Sequence, residues 1–235
     1  MIKEALQYII NLGNVETFEI NGQEYSTQQI HKIKAPTPEF LQVNSLSGFV
    51  NYLQSKFDGD EKLMVHVDSP TEVYAFTTFN RDYDRNHMIK ATAMTPNIRF
   101  DNWYDAESFN IKLQSCFVQN EDRDVILKVV GNIKEEAVNS FGDDGVSQSV
   151  TAKTGVATVS TVVVPNPVAL KPYRTFVEVD QPESDFVFRM KSGPHCALFE
   201  ADGGAWKLAA MQNIKEYLSK ELDAEITNGK IVIIA

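Results

Sequence analysis

The sequence predicts an α+β fold: antiparallel sheets with about five helices, in one compact, two-lobed domain. Three observations predict it. Strand and helix patterns come in blocks, not in the strict alternation of a doubly wound parallel sheet. Short strand patterns follow one another across turn residues, which calls for hairpins and meanders. The chain has 235 residues, 43% hydrophobic and 23% charged, enough to bury a sizeable core, and no flexible linker divides it. The lobes are expected at 1–141, built of helices and a meander, and at 142–235, rich in β-structure with a C-terminal helix and strand.

Residues 2–12 carry Ile2, Leu6, Ile9 and Ile10 at helical spacing, with Gly13 as the stop. Glu16 to Ile20 alternates, Asn21-Gly22 turns and Gln23 to Thr27 returns, a strong short-range hairpin signal. Pro36 and Pro38 mark an extended connection. A second helix is expected from Ser45 to Phe57, because Leu46, Phe49, Val50, Leu53 and Phe57 form one stripe. Strands at 63–68, 72–79 and 88–94 then form an antiparallel meander, with a polar loop from Asn80 to His87. Asp105 can cap a helix bearing Phe109, Leu113, Cys116 and Phe117. A partner helix over 123–140 presents Val125, Ile126, Val129, Val130 and Ile133, and the short link between the two implies an antiparallel pair. Gly131 costs that second helix about 1 kcal/mol relative to Ala.

From Gly142 to Val164 the chain turns rich in Gly, Ser, Thr and Val, predicting strands at 146–150 and 156–164 that turn near Lys153-Thr154-Gly155. Pro165, Pro167 and Pro172 interrupt the sheet, and Tyr173 to Val179 reads as extended. Residues 186–190 and 196–200 flank Ser192-Gly193-Pro194 as a further hairpin. Asp202-Gly203-Gly204 leads into a helix over 205–221, and Asn228-Gly229 introduces a closing strand over 230–234.

Charge narrows the partners. The net charge is −10, spread along the chain, so binding nucleic acid by bulk phosphate neutralisation is disfavoured, as is docking on an anionic membrane. No apolar run reaches the roughly 20 residues of a membrane span. Two cysteines are too few for a disulfide framework or zinc cluster. A reduced, cytosolic protein is the expectation.

No catalytic constellation stands out. His31, His66, His87 and His195 lack metal-ligand spacing. His195 and Cys196 are adjacent on a strand, so they face opposite ways, and Cys116 lies on an apolar stripe, the usual place of an inert buried thiol. The local carboxylates are Asp82 with Asp84, Asp101 with Asp105, and Asp143 with Asp144; convergence of such groups would be needed for metal-dependent phosphoryl chemistry. Asp202-Gly203-Gly204 before a helix could cradle a phosphate on backbone amides. The plainer reading is a tight turn, because Asp202 repels an anion and glycine supplies positive φ. Arg99 interleaved with Phe100, Trp103 and Tyr104, and Arg174 between Tyr173 and Phe176, are mixtures that can stack bases but more often fill a core with a basic rim.

The stretches Gly142-Asp143-Asp144-Gly145-Val146-Ser147-Gln148, Pro172-Tyr173-Arg174-Thr175-Phe176, Gln181-Pro182-Glu183-Ser184 and Ala197-Leu198-Phe199-Glu200-Ala201-Asp202-Gly203-Gly204 resemble the YfdQ-like family of bacteriophage and prophage proteins. The likeness runs along the chain and is clearest from about residue 110. It implies a phage or prophage product acting in the host bacterial cytoplasm, and it carries over no functional residue.

The expectation is therefore a non-enzymatic binding protein, self-associating, serving phage DNA metabolism or acting against host defence. Its partners would be further copies of itself, a host or phage protein, or a small nucleotide, and no cofactor is called for. Anionic contacts are expected at Arg81, Arg85, Arg99, Arg174 and Arg189, with Gly203 and Gly204 as backbone donors. The alternatives are a metal-dependent phosphodiesterase or nuclease, and a structural protein assembling through the Val/Thr-rich strands.

Overall fold

The computed structural model describes residues 2–27, 39–80, 83–131, 141–143, 148–154, 158–191, 193 and 195–235. The chain separates into two compact units, residues 1–38 and 39–235. In the first, α1 (Ile2–Leu12) precedes the antiparallel hairpin β1 (Thr17–Ile20) and β2 (Gln23–Ser26). Asn21 and Gly22 both take positive φ, 52° and 76°, the conformation a two-residue hairpin turn demands. The predicted stripe Ile2, Leu6, Ile9 and Ile10 is exposed along its length. The extended connection around Pro36 and Pro38 lies outside the described residues.

The second unit runs β3 (Leu41–Val43), α2 (Leu46–Ser55), β4 (Leu63–Ser69), β5 (Glu72–Thr77), β6 (His87–Thr92), β7 (Tyr104–Asp105), α3 (Ala106–Cys116) and α4 (Glu121–Gly131). It continues with β8 (Phe141–Asp143), β9 (Gln148–Thr154), β10 (Thr158–Val163), β11 (Val168–Leu170), β12 (Ser184–Lys191), β13 (His195–Glu200), α5 (Trp206–Glu221), α6 (Asp223–Thr227) and β14 (Ile231–Ile234). The class is α+β, with six helices among the described residues.

A five-stranded sheet has the order β14-β4-β5-β6-β3. Its β4-β5-β6 centre is the predicted antiparallel meander, but both edge strands join it parallel. The sheet is therefore mixed, because β14 arrives by a helical crossover through α5 and β3 precedes α2, whereas a tight turn would have reversed the chain. The inward side chains of the sheet, Val65, Val67, Val73, Ala75, Ile89 and Ala91, pack with Phe49 and Leu53 of α2 and Ile214 and Leu218 of α5. Each large side chain so buried contributes about 1.5–3 kcal/mol. α2 begins where Ser45 accepts the Gly48 amide at 3.1 Å and stops at Lys56, φ 52°. That halt leaves Phe57, expected on the stripe, 84% exposed.

A four-stranded sheet, β11-β12-β13-β7, carries the second core. Phe186, Phe188 and Met190 alternate inward along β12 and meet Phe109 and Leu113 of α3 and Ile126 and Val129 of α4. Gly193 turns the β12–β13 hairpin with φ 81°. A third sheet, β10-β9-β8, is antiparallel; β9 and β10 overlap the two strands expected there, but β9 continues through Lys153 and Thr154, where the turn is expected. Each of the two cores draws residues from both sides of position 142.

Local predictions also fail in instructive places. Tyr173–Val179 is a loop, not a strand; the pairing in this stretch falls earlier, at β11 and at a single bridge between Phe117 and Pro172. α4 starts at Glu121, within the expected link, and residues 132–140 of its expected length lie outside the described residues.

Candidate functional site

Of the expected anion-contact residues that are described, Arg85, Arg99 and Arg189 stand apart from one another, whereas Arg174 and the Gly203-Gly204 turn share the surroundings of Asp202. Arg81 lies outside the described residues. Arg85 stacks over the Phe79 ring at 4.0 Å, in the loop between β5 and β6. Arg99 is exposed, and its backbone exchanges hydrogen bonds with the Tyr104 hydroxyl. Arg189, half-buried on β12, donates to its neighbour's carbonyl at Phe188, 3.1 Å away. Gly203 and Gly204 take positive φ, 61° and 83°, as the tight-turn reading requires. The Gly204 amide donates to the Asp202 carboxylate at 2.9 Å, and the Trp206 amide to its other oxygen at 3.4 Å. The turn thus already holds an anion of its own, the Asp202 carboxylate.

Arg174 is the centre of a buried network. It is 8% exposed; its guanidinium donates to Glu200 and to the Ser184 hydroxyl and stacks on Trp206 at 3.9 Å. Burial pulls its pKa down to about 10, against the support of Glu200 and Asp202. Burial pushes the Asp202 carboxyl up, but the Gly204 amide, Ser184, the Trp206 amide and Arg174 together hold it below its ordinary value. Beneath, the buried Gln181 side chain accepts the Arg174 and Thr175 amides at 3.0 and 3.3 Å and donates to the Phe176 and Val179 carbonyls at 2.9 and 3.2 Å. This satisfies backbone groups that would otherwise be stranded inside the protein. Three of the four stretches singled out in the sequence therefore meet here: 172–176, 181–184 and 197–204. The meeting is structural: the loop is pinned to both sheets, with Phe176 and Val179 in the first core and Ser184 and Glu200 on β12 and β13. An open groove of about 250 Å³ beside it is lined by Glu183, Asp185 and Asp202 together with Trp206, an acidic rim that opposes a nucleotide phosphate.

Nucleophile and metal chemistry gain no support from placement. Burial, with Asp105 nearby, pushes the Cys196 thiol up to about 12, so little thiolate exists at neutral pH. Cys116 is likewise buried, and His195 stands half-buried beside Cys196 on β13. Among the described residues no three His, Cys, Asp or Glu side chains gather where they could hold a metal ion. Asp105 caps α3 through the Ser108 amide at 2.9 Å; His31, Asp82 and Asp144 lie outside the described residues.

The strongest surface feature is the outward face of the five-stranded sheet. Alternation that buries Val65, Val73 and Ala75 turns His66, Tyr74 and Phe76 outward. A register shift between Ala75 and Phe76 then sets His87 opposite Phe76. The rings form a row: Phe40 to His87 at 6.2 Å, His87 to Phe76 at 4.5 Å edge-on, and Phe76 to His66 at 6.3 Å. Tyr74 stacks beside Phe76 at 6.0 Å. Lys90 lies over Tyr74 at 5.1 Å and pairs with Glu72 at 2.5 Å; the lysine bond, aided by Tyr74, holds the Glu72 carboxyl below its ordinary value. At the rim, Phe79 and Tyr83 are 58% and 82% exposed, and Arg85 covers Phe79. Sequence reading found the strands but not this row, since only the register brings His87 to Phe76.

No helix among the described residues is long and apolar enough to cross a membrane. Compared with known protein families, curated proteins and solved structures, the chain matches none.

Proposed function

We propose that this chain is a non-enzymatic, self-associating binding protein whose working surface is the aromatic outward face of the five-stranded sheet with the β5–β6 loop at its rim. The observation that carries the reading is the row Phe40, His87, Phe76 and His66 with Tyr74 beside it. Aromatic groups presented together in this way supply large, rigid contact area at low conformational cost, the pattern of a protein-binding patch. Glu72 and Lys90 on this face neutralise each other and Asp68 adds a carboxylate beside His66 at 3.9 Å, so the face has no cationic excess and favours a protein partner over a phosphate backbone. Following the resemblance drawn from the sequence, the setting is the host bacterial cytoplasm, with a phage or host protein as target, in phage DNA metabolism or against host defence.

The test is mass-resolved size exclusion of the chain purified from bacterial cells, with everything released on denaturation identified by mass spectrometry. A defined assembly, of the chain with itself or with a stoichiometric protein, is the expected result. A released nucleotide would replace the protein-partner reading, and a bare monomer at every concentration would overturn the proposal.

A further inference from the structure

We propose that β14 is a dimerisation edge, through which two copies of this chain join their five-stranded sheets antiparallel about a two-fold axis centred on Ile233. The inference rests on the self-association reading above and names the surface that carries it.

The other edges of the two larger sheets are blunted. β3 is three residues long and β7 two; β11 is also three residues, with Pro165 and Pro167 before it and Pro172 after it. Short edges and prolines are the usual protections against strand addition. β14 has none of them: its four residues, Ile231-Val232-Ile233-Ile234, are all β-branched and uncharged. Lys230, just before the strand, is turned onto Asp60 at 3.1 Å. Among the described residues no strand pairs with the far side of β14.

The direction of the free backbone groups follows from the existing pairing. The Leu63 amide donates to the Lys230 carbonyl at 2.8 Å, so residues 230, 232 and 234 address β4 by the alternation of a strand. Ile231 and Ile233 therefore aim their N–H and C=O groups at the open edge. A two-fold axis at Ile233 lets this residue exchange both hydrogen bonds with its own copy, the closely bonded pair of an antiparallel ladder. Val232 then stands opposite Ile234 of the second copy, and Ile231 opposite Ala235. Opposed residues share a face, so Val232 and Ile234, now 43% and 41% exposed, cover each other beside Met64 and His66, while the two Ile233 side chains meet on the core side. A second copy is the occupant because the edge is complementary to itself in hydrogen bonding, facing and apolar character, which an isologous interface requires.

Light scattering coupled to size exclusion, over a wide concentration range, tests this with the full chain. The wild type is expected to be a dimer. Val232→Lys with Ile234→Lys places like charges opposite each other twice and should halve the mass. Val232→Lys with Ile234→Glu places opposite charges there and should keep the dimer, which a chain merely intolerant of charge would not do. Hydrogen exchange on the wild type is independent of whether the variants fold: the Ile233 amide should become protected as concentration rises. A dimer that survives the double lysine change, or an Ile233 amide exchanging equally fast in monomer and dimer, overturns the edge pairing and leaves self-association standing. A wild type that remains monomeric overturns both.

Discussion

Arg174 separates a structural keystone from a ligand contact by stability alone. Replacing it with Ala removes a charge-assisted bond to Glu200, worth about 1.5–3 kcal/mol, and a stacking contact on Trp206 of about 1 kcal/mol. It also leaves a gap where a side chain only 8% exposed had been. Against these stands the cost of burying the guanidinium, which the fall of its pKa to about 10 reflects. Glu200 keeps a side chain 39% exposed, so it returns to water when its partner goes, which limits the loss. The balance is a destabilisation of about 3 kcal/mol for Arg174→Ala. Arg174→Met removes the same charge but refills the volume and puts sulfur against the Trp206 ring, which restores about 1 kcal/mol. Met is therefore expected to lie between Ala and wild type. Urea denaturation reads this as a fall in midpoint at unchanged slope. If both variants stay within about 0.5 kcal/mol of wild type, the network does not hold the fold and the reasoning fails.

Three further outcomes are expected. Gln181→Leu strands the buried Arg174 and Thr175 amides now bonded at 3.0 and 3.3 Å and should cost about 3 kcal/mol, read by the same urea titration; a neutral result would mean the loop finds other acceptors. Cys196, its thiol pushed up to about 12 mainly by burial, and the buried Cys116 should react with a colorimetric thiol reagent only after denaturation, so rapid labelling of the native protein would contradict their placement. The Asp105 carboxyl is held below its ordinary value chiefly by the Ser108 amide. Its contribution is therefore complete above the unfolded pKa of about 4 and fades as pH falls through the lower folded one. The stability gap between wild type and Asp105→Ala should be constant at neutral pH and close in acid; a gap independent of pH would refute the charged cap.

What the sequence makes legible is whatever short-range chemistry decides. The Asn21-Gly22 turn, the Asp105 cap and the Val73-Ala75 alternation each have local causes, and each is found where the pattern put it. Hydrophobic spacing extends the α2 stripe to Phe57, whereas the backbone turns left-handed at Lys56 and releases that ring to solvent. The parallel joining of β14 was not legible, since Ile231 to Ile234 reads as the same strand whichever way its neighbour runs. The Arg174 network unites residues from 174 to 206 in sequence, and the aromatic row depends on a one-residue shift between Ala75 and Phe76. Arg99 and Arg189, singled out beside Arg174 for their charge, carry no sign in their neighbours that one arginine of the three would be buried.

The central claim is that the outward face of the five-stranded sheet does the binding, and the most direct measurement alters that face alone. Wild type and a Tyr74→Ser, Phe76→Ser variant, purified from the same bacterial cells and matched for folding by thermal melting, are compared by native mass spectrometry. The account predicts that a stoichiometric protein partner accompanies the wild type and is lost from the variant, while the dimer through β14 persists in both. A partner held equally by both proteins would move the binding surface elsewhere, and the claim would fall.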